Sequence, residues 1–175
     1  MKRNKCLVCD SNKLHKILDL GVHAYADTFI PEEKKHDRLS TYNLSCALCE
    51  ECGQIQTISK TEPHERYILN DYSYTSSNSK TSKQHWKDYA ETVCNKLKIQ
   101  KNDLVVEIGS NDGYLLSQFV KFEHRVIGID ASKYVSDLAM NNGIETIVGL
   151  FDVNITKKII KKHSHANLVV ANNVF

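Results

Sequence analysis

The stretch Leu104-Val105-Val106-Glu107-Ile108-Gly109-Ser110-Asn111-Asp112-Gly113-Tyr114-Leu115-Leu116 decides the fold. Its first half is a short, largely apolar run, as expected of a parallel strand buried on both faces. The run breaks into a glycine-bearing turn, and Tyr114, Leu115, Leu116, Phe119 and Val120 then mark the apolar face of a helix. A second strand, Arg125-Val126-Ile127-Gly128-Ile129-Asp130, ends in an acid. Further out the alternation continues. Ser132 is placed to cap a helix with Tyr134, Val135, Leu138 and Ala139 on one face. Ile144 to Val148 reads as a third strand, and Asp152 as the cap of a helix presenting Ile155, Ile159 and Ile160. Asn167-Leu168-Val169-Val170-Ala171 is a fourth strand. Strands alternating with helices predict an α/β domain on a parallel sheet.

The turn carries the chemistry. Gly109 and Gly113 permit a tight backbone turn against a ligand at a helix N-terminus, and Asp130 stands where a ribose diol can be held. Gly109 and Asp130 are 21 residues apart, close to the roughly 20 of dinucleotide-type folds. A pyrophosphate binder would show Gly-x-Gly-x-x-Gly. Here Glu107 and Asp112 put carboxylates before and inside the loop, which suits a ligand with a cationic amino group and no phosphate. S-adenosylmethionine has that chemistry: its amine and sulfonium are positive and its ribose offers two hydroxyls. The bland reading is a generic tight turn with chance acids, which leaves Asp130 unexplained.

Upstream, Trp86, Tyr89, Ala90, Val93 and Leu97 form an apolar stripe at helical spacing from Ser79 onward. Cys94 sits beside it and reads as a small buried thiol. The segment before it, 70–79, is rich in serine, asparagine and tyrosine. A flexible linker is one reading, although two tyrosines exceed what a spacer needs.

Five of the six cysteines lie in the first 52 residues. Cys6-x-x-Cys9 and the overlapping pairs Cys46-x-x-Cys49-x-x-Cys52 have the spacing of zinc knuckles. Gly53 follows Cys52 and accepts the positive φ that a knuckle can demand, whereas Glu50 follows Cys49. The expected ligands are therefore Cys6, Cys9, Cys49 and Cys52, with Cys46 a buried thiol or a spare ligand. A redox dithiol lacks a surrounding βαβ pattern, and a set of ordinary core cysteines is the other alternative. Between the pairs, Leu14 to Gly21 alternates as a strand that Gly21 closes, Glu32 to Arg38 is a solvated charged run, and Tyr42, Leu44 and Cys46 alternate again. Such a module is too small to hold itself by burial alone.

Composition limits the partners. The chain has 175 residues, 23 basic and 21 acidic side chains, and 41% hydrophobic residues. Charge is even along it, with 9 basic and 8 acidic groups over 1–60, 6 and 5 over 61–100, and 8 and 8 over 101–175. The lysines at 157, 158, 161 and 162 read as a solvated helix face. No concentration of positive charge suggests nucleic acid, so an RNA-modifying role is disfavoured. No apolar run approaches the ~20 residues of a membrane span. A cysteine precedes any apolar run, so no signal peptide is expected, and a reducing, cytoplasmic setting is.

The motifs together resemble a known family, the zinc-containing S-adenosylmethionine-dependent C-methyltransferases that act on nucleotide-linked deoxysugars, as at C3 of a dTDP-sugar. The resemblance covers the whole chain. It rests on Cys6-x-x-Cys9; Leu20-Gly21 followed by Ala26-Asp27-Thr28-Phe29; Cys49-x-x-Cys52-Gly53-x-Ile55-Gln56; Asp71-Tyr72-Ser73-Tyr74-Thr75-Ser76-Ser77; Val106 to Leu116; and Asn172-Asn173-Val174-Phe175. It implies a structural zinc and a small β-rich zinc-binding module over 1–62. A Tyr/Ser-rich linker and amphipathic helix would follow over 63–100, then the first half, four parallel strands, of a Rossmann-like class I methyltransferase fold over 101–175.

In the family the Tyr-Ser segment closes over the cofactor. The candidate cofactor-binding set is then Tyr74, Ser76, Glu107, Gly109, Ser110, Asn111, Gly113, Asp130 and Asn172. Proline usually follows Leu-Gly-x-x in the family, where this chain has Ala24. The family's catalytic His and Glu-His residues come after the position of Phe175, and its sheet has seven strands. The expectation is an N-terminal part, inactive alone, whose sheet is completed by a further domain or a second polypeptide. The small-molecule substrate would be a nucleotide sugar. The alternative is a non-catalytic zinc-ribbon interaction module with a degenerate methyltransferase remnant.

Overall fold

The structure is a computed structural model that describes residues 3–26, 29–30, 32–69 and 72–174. Of the motif residues above, Asp27, Thr28, Asp71 and Phe175 lie outside these described residues. The chain divides into two compact units, Met1–Arg66 and Tyr67–Phe175.

The first unit is a three-stranded antiparallel sheet in the order β1-β2-β3, formed by Leu14–Ala24, Thr41–Cys49 and Ile55–Thr57. In β2 the buried positions are Ser45, Ala47 and Cys49, the period of two that separates the faces of a strand. Cys46 therefore lies on the face opposite Cys49, paired in register with Leu18 and Thr57. Gly21 does not close β1. The strand runs on to Ala24 through a register shift between Asp19 and Val22. Gly21 takes φ +81° there, and its N–H donates to the Asp19 carboxylate at 3.0 Å. A glycine in the left-handed region lets a strand carry an extra residue without ending. Within the charged run, Glu32–Lys34 forms one short 3-10 turn with no buried residue.

The second unit holds a four-stranded parallel sheet: β4 (Leu104–Ile108), β5 (Arg125–Asp130), β6 (Thr146–Val148) and β7 (Leu168–Ala171). Their order is β6-β5-β4-β7, with the strand of the glycine turn inside the sheet. All five residues of β4 are buried. The helices are α1 (Lys80–Leu97), α2 (Tyr114–Lys121), α3 (Lys133–Asn141) and α4 (Val153–His163). Two cores follow from the alternation of β4. Val105 packs with Ala90, Leu115, Leu116, Phe119 and Ala139 from α1, α2 and α3. Leu104, Val106 and Ile108 pack with Ile127, Ile129, Ile155 and Ile159, the last two from α4.

Ser79 caps α1 through a reciprocal pair with Ser82, and Asp152 caps α4 by accepting from Ile155 N–H at 2.8 Å. Ser132 occupies the cap position of α3 but makes no side-chain cap bond. Its N–H instead donates to Asp130 at 2.9 Å, so the strand-end acid holds this corner. Not every apolar stripe is buried. Leu97, Val120, Tyr134 and Ile160 are exposed. Among the described residues no helix is long and apolar enough to cross a membrane.

Candidate metal centre and cofactor half-site

The two Cys-x-x-Cys turns meet in the first unit. The Sγ atoms of Cys6, Cys9, Cys49 and Cys52 all lie within 4.8 Å of one another. The Cys6–Cys52 and Cys9–Cys49 separations are 3.6 Å each. Zinc–sulfur bonds of ~2.3 Å at tetrahedral angles place the sulfurs about 3.8 Å apart, so the four thiols fit a structural zinc. Cys6 and Cys49 are buried, whereas Cys9 and Cys52 are exposed. Cys46, on the other face of β2, is outside the cluster.

The turns are built alike. The residue after the second cysteine is left-handed in both, Asp10 at φ +57° and Gly53 at φ +75°. The second turn closes through Gly53 N–H to the Cys49 carbonyl at 2.9 Å. In the first, the Cys9 and Val8 N–H groups hold the Cys6 thiol down to about 7, while the neighbouring sulfurs and burial push Cys9 up to about 12, so a metal entering the cluster would release protons. Gln56, on β3, ties the first cysteine turn to the sheet. It accepts from Leu7 N–H at 2.8 Å and donates to the Lys5 carbonyl at 2.9 Å. Sequence reasoning assigned Gln56 no role, and it missed Asp10, whose left-handed φ only the folded turn reveals.

The second candidate site lies at the C-terminal ends of β4 and β5. Gly109 and Ser110 N–H both donate to the Ile129 carbonyl, at 2.7 and 3.0 Å. Gly109, Asn111 and Gly113 all have positive φ, near 70°, 53° and 72°, which tightens the turn. The space left by the two missing Cβ atoms is filled by protein. A Cβ on Gly109 would stand 2.5 Å from the Val174 side chain, and one on Gly113 would stand 3.0 Å from Ala139 and 3.1 Å from Ile144. These glycines admit close packing of chain on chain as well as the tight turn that the sequence predicts. Gly128 has the same office: a Cβ there would meet the Ser110 hydroxyl at 2.4 Å.

The carboxylates divide by their partners. Asp130 accepts from Asn111 N–H at 2.8 Å and from Ser132 N–H at 2.9 Å. Burial still raises its pKa above the ordinary value. Asp112 is buried and accepts from Ser76 Oγ (2.5 Å), Ser77 N–H (3.1 Å), Ser77 Oγ (2.6 Å) and Tyr114 N–H (3.2 Å). Glu107 is 5% exposed and shares the strand face of Val105. Its Oε2 has no hydrogen-bond partner, as is true of Ser110 Oγ and Asn172 Nδ2. Burial, then the charges of Asp112 and Asp130, push its pKa well above the usual carboxylate range. No ion pair among the described residues involves any of the three acids. A buried carboxylate without a partner is costly unless a cation or donor completes it.

Of the remaining expected residues, Tyr74 is half exposed and its carbonyl accepts from Asn111 Nδ2 at 2.9 Å. Ser76 N–H donates to Asn111 Oδ1 at 2.8 Å. The structure thus brings Tyr74, Ser76, Asn111 and Asp112 together in one network, with Asp130 joined to it through the Asn111 amide. Asp112 and Ser77 were absent from the expected set, although Asp112 stands in the glycine turn itself.

A metal-clipped sheet followed by a parallel sheet with an acidic glycine turn is the arrangement of a zinc-bearing cofactor-binding protein. Residues 6–67 match the family described as "Putative zinc binding domain", under the heading Methyltransf_13. Along 172 residues, 98% of its length, the chain is 25% identical to the C-methyltransferase NovU of Streptomyces niveus. It spans 40% of that curated relative. These two similarities support the family that the motifs resemble, over its N-terminal part. Among solved structures, a "putative S-adenosyl-L-methionine-dependent methyltransferase" of Methanococcus maripaludis aligns at 18% identity and TM-score 0.40, over 58% of this chain and 55% of that one. Coclaurine N-methyltransferase, bound to N-methylheliamine and SAH, aligns at 14% identity and TM-score 0.38, over 56% and 30%.

Proposed function

We propose that this chain supplies the structural zinc module and the S-adenosylmethionine half-site of a C-methyltransferase whose acceptor is a nucleotide-linked keto-sugar. The observation that carries the cofactor reading is the unpartnered buried carboxylate of Glu107, flanked by Asp112 and Asp130 at the ends of two parallel strands. An amino acid ammonium and a sulfonium complement that negative site, and a phosphate does not. Similarity to a protein named a C-methyltransferase supports transfer to carbon. When bound, the cofactor supplies an electrophilic methyl group.

The chain's own residues bind and orient. Glu107 Oε2 attracts the cationic end. Asp130, at the end of β5 and held by the backbone donors of Ser132, Asn111 and Ala131, is the acceptor we assign to the ribose hydroxyls. Asn172 Nδ2, buried without a partner, offers a donor to the same ligand, while the Ser110 hydroxyl lies against Gly128. Attack by a sugar carbon needs a base that removes the proton α to a keto group, and the described residues provide no assigned base. Cys6, Cys9, Cys49 and Cys52 would hold the zinc with four sulfurs, a ligand set that suits a structural role.

Calorimetric titration of the protein with S-adenosylmethionine tests this reading. Saturable binding with one site is expected, weakened about tenfold or more by Asp130→Ala, the loss of a charge-assisted hydrogen bond. Folded, zinc-loaded protein that takes up no cofactor would instead favour the non-catalytic zinc-ribbon module.

A further inference from the structure

The glycine turn carries Asn111 and Asp112 where a dinucleotide turn would carry glycine, and neither side chain is spent on the turn alone. Asn111 Oδ1 accepts from Ser76 N–H at 2.8 Å, and its Nδ2 donates to the Tyr74 carbonyl at 2.9 Å. Asp112 Oδ1 accepts from Ser76 Oγ and from Tyr114 N–H, and Oδ2 accepts from both the amide and hydroxyl of Ser77. On the other side of the segment, Trp86 Nε1 donates to the Ser76 carbonyl at 3.2 Å. The backbone of 74–77 is therefore gripped at both edges, by the cofactor turn and by α1. Four donors on one buried carboxylate are strong, directional bonds, because the acceptor is charged.

We infer that Asn111 and Asp112 are positioning residues: a two-residue latch that fixes the Tyr74–Ser77 segment beside the cofactor half-site, so that its shape is set before ligand arrives. The inference rests on the cofactor reading above and extends it. Asp112 gains its importance through the segment and not by touching the ligand. Among the described residues the Asp112 carboxylate accepts from Ser76, Ser77 and Tyr114, which leaves the ligand's cation to Glu107. Preformed order of this kind strengthens binding by removing an ordering cost from the binding step.

The chemistry of the latch suggests a selective lesion. In Asp112→Asn one oxygen remains to serve Ser76 Oγ and the Tyr114 N–H, so the start of α2 is kept. The amide that replaces Oδ2 faces the Ser77 N–H, donor against donor, and that contact fails. Ser77→Ala removes the hydroxyl from the other partner and leaves Asp112 intact. The probe is S-adenosylhomocysteine, titrated calorimetrically into wild type, Asp112→Asn, Ser77→Ala and the double variant. Trp86, the single tryptophan, reports the segment by its emission in ligand-free protein.

Asp112→Asn is expected to weaken binding about tenfold and Ser77→Ala several-fold, on the scale of one charge-assisted hydrogen bond. The double variant should bind no more weakly than Asp112→Asn alone, since both break one latch. Trp86 emission should shift in both single variants before ligand is added. Unchanged affinity in Asp112→Asn, or losses that multiply in the double variant, overturns the latch; multiplied losses would mean that Asp112 acts on the ligand itself. Should Asp112→Asn fail to fold, Ser77→Ala decides alone, and wild-type emission with wild-type affinity sinks the proposal. A wild-type protein that gives no binding at all is a different result, because it removes the cofactor reading beneath the latch.

Discussion

Glu107 is the residue at which stability and ligand binding oppose each other. Burial and two neighbouring acids raise its pKa far above the ordinary value of 4.5. The folded state therefore holds this proton more tightly than the unfolded chain. Its contribution to stability is complete below the unfolded value, and is lost as pH rises through the folded one. In ligand-free protein, Glu107→Gln should thus raise the melting temperature at pH 8 relative to wild type, with the gap narrowing toward pH 5. A cationic ligand reverses the sign, since it favours the carboxylate, so the same substitution should weaken cofactor binding. Thermal melts at the two pH values, with and without S-adenosylmethionine, read both effects. A variant less stable than wild type at pH 8 without ligand would contradict the assignment of an unpaired buried charge. Asp130, also raised by burial, differs in having the backbone donors of Ser132, Asn111 and Ala131 to share its charge.

Among the elements, helix caps separate what sequence shows from what only packing decides. Asp152 accepts from Ile155 N–H, and Asn154 Nδ2 donates to the same carboxylate. Its pKa is lowered, first by that Ile155 bond. Asp152→Ala should cost about 1 kcal/mol in chemical denaturation, the usual value of a side-chain cap. Ser132→Ala should cost less, because Ser132 holds the cap position of α3 without a cap bond. Both residues look like caps in sequence; the difference is that Asp130 has already engaged the Ser132 backbone. Period and spacing made the four parallel strands, their helices and the four-cysteine cluster legible, because each follows from local pattern. What stayed hidden is long-range. Gly21 reads as a strand end, and only pairing with β2 turns it into a bulge. Gly109 and Gly113 read as a tight turn, and only the fold shows that residues far along the chain, Val174 and Ile144, also pack where their Cβ atoms would stand. Asn111 and Asp112 read as departures from a glycine pattern, and their partners lie 35 to 37 residues upstream.

For the whole molecule, the question is what holds each unit. Among the described residues of the first unit the buried apolar side chains are Cys6, Ala47, Cys49 and Ile58, and two of those four are cluster cysteines. Ile17, Leu18, Leu20, Val22 and Leu44 of its sheet are exposed. So small a buried set cannot offset the conformational entropy of some 60 residues, at ~1–2 kcal/mol each. A structural zinc site, with an apparent binding free energy of about 10–16 kcal/mol in small metal-dependent domains, can shift that balance decisively. The second unit has its own two cores, built from β4, β5 and all four helices. Metal removal should therefore unfold one unit and spare the other. Trp86, in α1, lies only in the second unit and is the sole tryptophan. In the presence of a strong zinc chelator, circular dichroism should lose the β signal of the first unit, while Trp86 fluorescence keeps its native emission and its cooperative melt. Cys49→Ser should reproduce the chelator's effect without it, because Cys49 is a fully buried member of the cluster. Simultaneous loss of both signals would show that the parallel sheet depends on the metal, against the independence that its own two cores predict.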